Sequence, residues 1–210
     1  MSPNPCVIID YDAGNLRSVQ RACAEVGLAA RISNEADTVA HADRVIFPGV
    51  GAAGPAMKSL TSAGLDVALR HALDAGTPVL GICLGLQISL NRSEEGATTT
   101  LGLIDGEVVR FRVTDPALKI PHMGWNEVRV VKPHPLLRNV RPGDEFYFVH
   151  GYYPDPTRRS DVYAETTYER PFVSALGRGN YFATQFHPEK SGRVGLELLA
   201  CFASWDGRPC

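Results

Sequence analysis

Apolar positions in the first half of the chain alternate between two periods. Residues 6–9 form a short continuous apolar run, the signature of a strand buried on both faces. Between Gly14 and Gly27, Leu16, Val19, Cys23 and Val26 recur at helical spacing, while Arg17, Gln20, Arg21 and Glu25 fall elsewhere. That pattern predicts an amphipathic helix stopped by Gly27. Another strand run at 44–47 leads into Pro48 and the glycine-rich stretch 49–54. Leu65, Ala68, Leu69, Ala72 and Leu73 then mark a helix closed by Gly76, followed by a strand at 78–82 and a mostly apolar helix at 84–90.

The second half reads differently. Strand-like pieces at 107–113, 127–131, 145–149, 162–167 and 181–186 are separated by Pro, Gly and Asp turns, which predicts an antiparallel or mixed extension of the sheet. A last helix at 192–205 turns Val194, Leu198, Leu199, Phe202 and Trp205 inward. The expected fold is α/β: an open mixed sheet, largely parallel, flanked by helices on both faces.

Composition narrows the function classes. The 210 residues are 44% hydrophobic and 21% charged, with no linker-like segment, and residues 1–210 read as one domain. A net charge of −2 without a basic stripe argues against nucleic acid as a partner. No apolar stretch approaches the ~18 residues of a membrane helix, and the opening MSPNPCVIIDYD does not read as a signal peptide. The expectation is a cytoplasmic protein without a membrane partner. Five cysteines at irregular spacing form no disulfide framework, and without a Cys-x-x-Cys or a His-x-x-x-His pair no metal is expected; no cofactor is expected either. Cys6, Cys23 and Cys201 sit inside apolar patterns and read as core, Cys210 as incidental. Of the histidines, His41, His71 and His134 read as surface residues. His122 and His150 lie in aromatic clusters that look functional but lack a nearby carboxylate.

Cys83 stands apart. It lies in Gly81-Ile-Cys-Leu-Gly85, between a buried strand and a helix. A nucleophile on such a sharp turn is exposed at the top of a sheet, and flanking glycines clear room for the turn and the substrate. The following helix would point its positive end at the sulfur, favouring thiolate, with the Leu84 N–H available to a developing oxyanion. A thiolate nucleophile needs a base. In Tyr181-Phe-Ala-Thr-Gln-Phe-His-Pro-Glu189 a strand ends in His187, and Glu189 follows on the same turn, able to hold one ring nitrogen while the other faces sulfur. Residues 49–54 also fit the G-x-G-x-x-G dinucleotide fingerprint. However, Asp66 and Asp74, near the spacing of a ribose carboxylate, fall within a helical pattern instead of ending the next strand. Backbone donors for an oxyanion or a substrate carboxylate are the better use of that loop.

Taken together, DYDAGNLRSV at 10–19, FPGVGA at 47–52, GICLGLQ at 81–87, RSEEG at 92–96, PHMGWNEV at 121–128, FVHGYY at 148–153 and FATQFHPEKS at 182–191 resemble the class I glutamine amidotransferases. Within them, the segments are similar to the glutaminase subunit of imidazole glycerol phosphate synthase. The resemblance implies glutamine as substrate, with Cys83 as nucleophile, His187 as base and acid, and Glu189 as its orienter. It implies that Val50 and Gly51 form an oxyanion strand whose peptide turns before it donates, and that Gln87 with the backbone of Gly151 and Tyr152 holds the glutamine. Asn15, Trp125 and Lys190 would face a (β/α)₈-barrel cyclase in a heterodimer. That partner would use the ammonia to make imidazole glycerol phosphate and an aminoimidazole carboxamide ribonucleotide in histidine biosynthesis. Two positions depart from the pattern: Asp12 replaces a usual glycine, and Gly151 a usual serine or threonine. A glutaminase of another pathway, a non-catalytic binder and a free-standing cysteine hydrolase are the alternatives.

Overall fold

Strands that are apolar at every position need a core on each face, and the chain supplies two. The computed structural model describes residues 6–208; Cys210 lies outside them. The strands are β1 (Cys6–Ile9), β2 (Ala30–Ser33), β3 (Arg44–Gly49), β4 (Val79–Cys83), β5 (Arg92–Ser93), β6 (Thr98–Thr99), β7 (Gly106–Arg110), β8 (His122–Glu127), β9 (Arg129–Val130), β10 (Glu145–His150), β11 (Tyr152–Pro156), β12 (Val162–Tyr168), β13 (Arg170–Arg178) and β14 (Tyr181–Thr184). The helices are α1 (Leu16–Glu25), α2 (Ala36–Ala40), α3 (Ala53–Ser62), α4 (Leu65–Asp74), α5 (Leu84–Gln87) and α6 (Gly192–Ser204).

Eight strands form the main sheet in the order β2-β1-β3-β4-β14-β13-β12-β9. From β2 to β14 every pairing is parallel, and beyond β14 every pairing is antiparallel. Alternate residues of one strand serve opposite cores. Val7, Ile9, Val45 and Phe47 pack with residues of α3 and α4, such as Leu60 and Leu69. Cys6, Ile8, Ile46 and Leu80 pack with Val19 and Cys23 of α1 and Leu198, Leu199 and Phe202 of α6. This is the expected open, largely parallel sheet with helices on both faces.

The differences from the sequence reading have local causes. Helix α5 closes after one turn instead of running to residue 90, because the carbonyls of Ile88, Ser89 and Leu90 accept from Leu101, Leu103 and Gly102. One turn carries little macrodipole, so α5 gives the Cys83 sulfur far less electrostatic support than the longer helix would. The antiparallel extension is divided. β12, β13 and β9 widen the main sheet, while β8 pairs with β10 and β11-β7-β5-β6 form sheets of their own. β2, α2, α3, β5, β6, β8, β11 and β13 lie outside the segments that the sequence pattern predicts. His134 is buried, not on the surface: its ring stacks on Phe182 at 4.2 Å, and its Nδ1 accepts from Leu136 N–H at the start of a 3₁₀ turn. Cys6, Cys23 and Cys201 are buried free thiols, as their patterns indicate.

Candidate active site

Three adjacent parallel strands, β3, β4 and β14, deliver their carboxyl ends to one edge, where open α/β sheets bind ligands. Gly49 of β3 lies beside Cys83 of β4, and Thr184 of β14 beside Ile82. Cys83 is the last residue of its strand, with φ 53° and ψ −103°. A side chain at positive φ costs about 1–3 kcal/mol and persists only where the surroundings impose it. Here the surroundings are explicit. A Cβ on Gly85 would run into the Phe47 carbonyl, and one on Gly81 would strike the Tyr181 hydroxyl and, at 2.8 Å, Ala183 Cβ. Only glycine lets α5 sit this close to β3, and Cys83, itself buried, ends on the wall of a cleft there.

His187 follows β14 and is fully buried. Its N–H donates to the Tyr147 carbonyl at 2.9 Å, and its carbonyl accepts from the Ser191 hydroxyl at 2.6 Å, so the backbone is clamped on both sides. Glu189 sits two residues on, in a 3₁₀ turn over Pro188–Lys190. Its Oε1 lies 2.7 Å from His187 Nδ1, and both side chains are buried. A carboxylate accepts, so Nδ1 carries the proton and Nε2 is left toward Cys83. Burial by itself would pull the imidazole down, but the Cys83 sulfur and the Glu189 carboxylate outweigh it and push His187 up to about 10. Among the described residues, His187 Nε2 and Glu189 Oε2 have no hydrogen-bond partner. The three residues read as nucleophile, base and orienter are thus brought together.

Val50, Gly51, Leu84, Gln87, Gly151 and Tyr152, read from sequence as oxyanion or substrate positions, line one cleft of ≈ 280 Å³ with Cys83. As the first residue of α5, Leu84 has an N–H with no carbonyl one turn earlier to receive it. The Val50 N–H is not free: it donates to the Ala13 carbonyl at 2.8 Å. The Gln87 amide spends both its hydrogens inside the protein, on the Tyr152 carbonyl at 3.0 Å and Gln185 Oε1 at 3.1 Å. What Gln87 retains for a ligand is an acceptor. The backbone accounts for neither departure, at 12 or at 151. Asp12 sits at φ 64°, where glycine is unstrained. A Cβ at Gly151 would make only ordinary contact with Ile120, at 3.6 Å, so no steric demand requires glycine there.

The positions expected to face a partner gather near the triad. Asn15 donates to Glu189 Oε1 at 2.6 Å. Trp125 is 53% exposed, as is Met123 on the same strand face at 62%. The Trp125 ring is 6.2 Å from that of Tyr147, over which the Lys190 ammonium lies at 5.7 Å. Sequence reasoning missed His150 as a lining residue, together with Pro121 and Glu95. It also passed over Gln185, although Gln185 falls inside the motif that carries His187. Among the described residues, no group of His, Cys, Asp and Glu is arranged to hold a metal, and no helix is long and apolar enough to cross a membrane.

Comparison with known proteins identifies the family. Residues 7–203 match the family model for glutamine amidotransferase class-I. The chain is 52% identical over 202 residues to the imidazole glycerol phosphate synthase subunit HisH of Desulfovibrio desulfuricans, covering 93% of this chain and 92% of that one. It is 46% identical to the subunit of the same name from Maridesulfovibrio salexigens, covering 93% and 94%. Among solved structures, a chain of PurLQS from Thermotoga maritima has the same fold with a TM-score of 0.71 at 18% identity, covering 96% of this chain and 98% of that one. The chain therefore belongs to the class I glutamine amidotransferases and, within them, to the family of imidazole glycerol phosphate synthase HisH subunits.

Proposed function

We propose that this chain is the glutaminase of an imidazole glycerol phosphate synthase. It releases ammonia from L-glutamine and passes it to a (β/α)₈-barrel cyclase, with which it forms a cytoplasmic heterodimer. One observation carries the reading: a positive-φ cysteine at the end of β4 faces a buried histidine–carboxylate pair at the end of the neighbouring strand. The chain works as one domain, since β1–β4 and β12–β14 share a sheet.

The chemistry follows from the placement. Cys83 thiolate attacks the carboxamide carbon of glutamine, and the oxyanion is received by backbone N–H groups. His187 protonates the departing nitrogen as the C–N bond breaks, leaving a thioester. Water then attacks the thioester as His187 takes its proton, and glutamate leaves with Sγ freed. Leu84 supplies one oxyanion donor. The second, at Val50, is held by Ala13. A missing oxyanion donor costs roughly 10²–10³ in rate, so the free chain is slow. Ala13 lies two residues from Asn15, in the loop assigned to the partner, and docking there releases the Val50 peptide. Trp125 and Met123 supply the apolar part of that surface.

Glutamate production from glutamine tests this, measured with the chain alone, with a cyclase subunit and its ribonucleotide ligand, and with Cys83→Ala. The expected result is stimulation of about 10²-fold or more, abolished by the substitution. Equal rates with and without the liganded cyclase would refute the gating. Activity retained by Cys83→Ala would refute the nucleophile.

A further inference from the structure

The steps above leave one buried polar side chain beside the nucleophile unused. Gln185 has no exposed surface. Its backbone N–H donates to the Ser174 carbonyl at 2.8 Å, which fixes its place after β14. Its side-chain Nε2 points at Cys83 Sγ from 3.6 Å, a normal N–H to sulfur distance.

Which end of the amide faces the sulfur is decided by the neighbours. The Tyr152 carbonyl can only accept, so the Gln87 amide must present its nitrogen there. The other hydrogen on that nitrogen must then meet an oxygen, which places Gln185 Oε1 toward Gln87 and Nε2 toward sulfur. The same carbonyl orders a second chain. His150 Nδ1, 2.7 Å from it, carries that ring's proton, so His150 Nε2 accepts. His122 Nδ1 donates to it at 3.0 Å, and His122 Nε2 accepts from Asn126 at 3.2 Å. Burial holds both rings in the neutral form, one proton each, that this arrangement needs.

We propose that Gln185 is a further catalytic residue, whose amide N–H donates to the Cys83 sulfur and holds it as the resting thiolate, oriented by Gln87 and the Tyr152 carbonyl. A thiolate is a much better acceptor than a thiol or a thioester, so this bond is strongest before attack. The donor therefore raises the fraction of reactive sulfur at neutral pH, complementing His187. The inference rests on Cys83 being the nucleophile.

The experiment is the pH dependence of Cys83 alkylation by iodoacetamide, read on the Cys83 peptide by mass spectrometry. Gln185→Glu keeps an oxygen for Gln87 and turns an acceptor to the sulfur; Gln185→Met keeps the length and removes the donor. Expected is an upward shift of the thiol titration by about one to two units, the worth of a hydrogen bond to a charged group. A fall in stimulated kcat of about tenfold should accompany it. An unshifted titration overturns the proposal even if kcat falls, and a shift counts for it only where the variant keeps the thermal unfolding midpoint of the unsubstituted chain, since loss of structure would itself move the thiol. Should neither variant fold, the ¹⁵N resonance of the Gln185 side-chain amide in the unmodified chain decides. It should move when Cys83 is alkylated, and a stationary resonance overturns the proposal. A fully active Cys83→Ala chain would instead refute the nucleophile assignment on which this rests.

Discussion

Replacing Glu189 by glutamine separates charge from orientation in the triad. Glu189 Oε1 receives two donors, His187 Nδ1 at 2.7 Å and Asn15 Nδ2 at 2.6 Å. A glutamine there keeps its carbonyl oxygen toward both, since turning its NH₂ inward would oppose two donors with a third. The His187 tautomer is thereby held, and only the negative charge is lost. A hydrogen bond to a charged group is worth roughly 1.5–3 kcal/mol against about 0.5–1.5 for a neutral one, and a full charge pair near 4 Å about 4 kcal/mol at an effective dielectric of 20. The loss therefore lies at roughly 1–4 kcal/mol, or about one to three units off the raised His187 pKa. We expect stimulated kcat to fall about 10–10³-fold, with KM for glutamine little changed, because Glu189 does not line the cleft. Glutamate release with the liganded cyclase and ¹⁵N NMR of the imidazole read the two effects. Asn15→Ala removes the second donor and lets the new amide invert, so the double variant should be slower than the product of the single effects. A Glu189→Gln chain with kcat within twofold and an unmoved imidazole titration would refute the reasoning, as would strict additivity with Asn15→Ala.

Three further outcomes follow from the same structure. His122, His134 and His150 are held down to about 4, 4 and 3 by burial. The unfolded chain thus binds more protons below about pH 6.5, and stability should fall from there toward pH 4. His187, raised in the fold, is protonated in both states across that range and its contribution is lost only above it; urea titrations should give up to about three protons taken up on unfolding, and a flat profile would contradict this. Gly85→Ala forces a Cβ into the Phe47 carbonyl and should cost about 3 kcal/mol and displace Cys83, whereas Gly64→Ala, at φ 68° in open space, should cost about 1 kcal/mol and spare activity. Trp125→Ala should leave thermal unfolding and the unstimulated rate unchanged but weaken cyclase binding by about 2 kcal/mol, which titration of the stimulated rate would measure.

The class of fold and the identities of the chemical groups are legible in the order of residues alone. Apolar runs without alternation dictate strands covered on both faces, which is why β1, β3 and β4 were legible as the centre of a parallel sheet. Helices α1, α4 and α6 were legible because their buried residues keep helical spacing and, at Gly27 and Gly76, a glycine supplies the positive φ of the stop. Cys83 and His187 stood out because glycines and a strand end surround them in the chain. Tertiary structure alone decided the length of α5, whose carbonyls are claimed by residues more than ten positions away. It alone buried His134 and joined His122 to His150. It alone showed the Val50 N–H held by Ala13, and the Gln185 amide turned toward sulfur. These last features are hydrogen bonds between segments far apart in sequence, and their direction depends on which partner is already committed elsewhere. Local pattern records which groups are available, whereas packing settles which group each one meets.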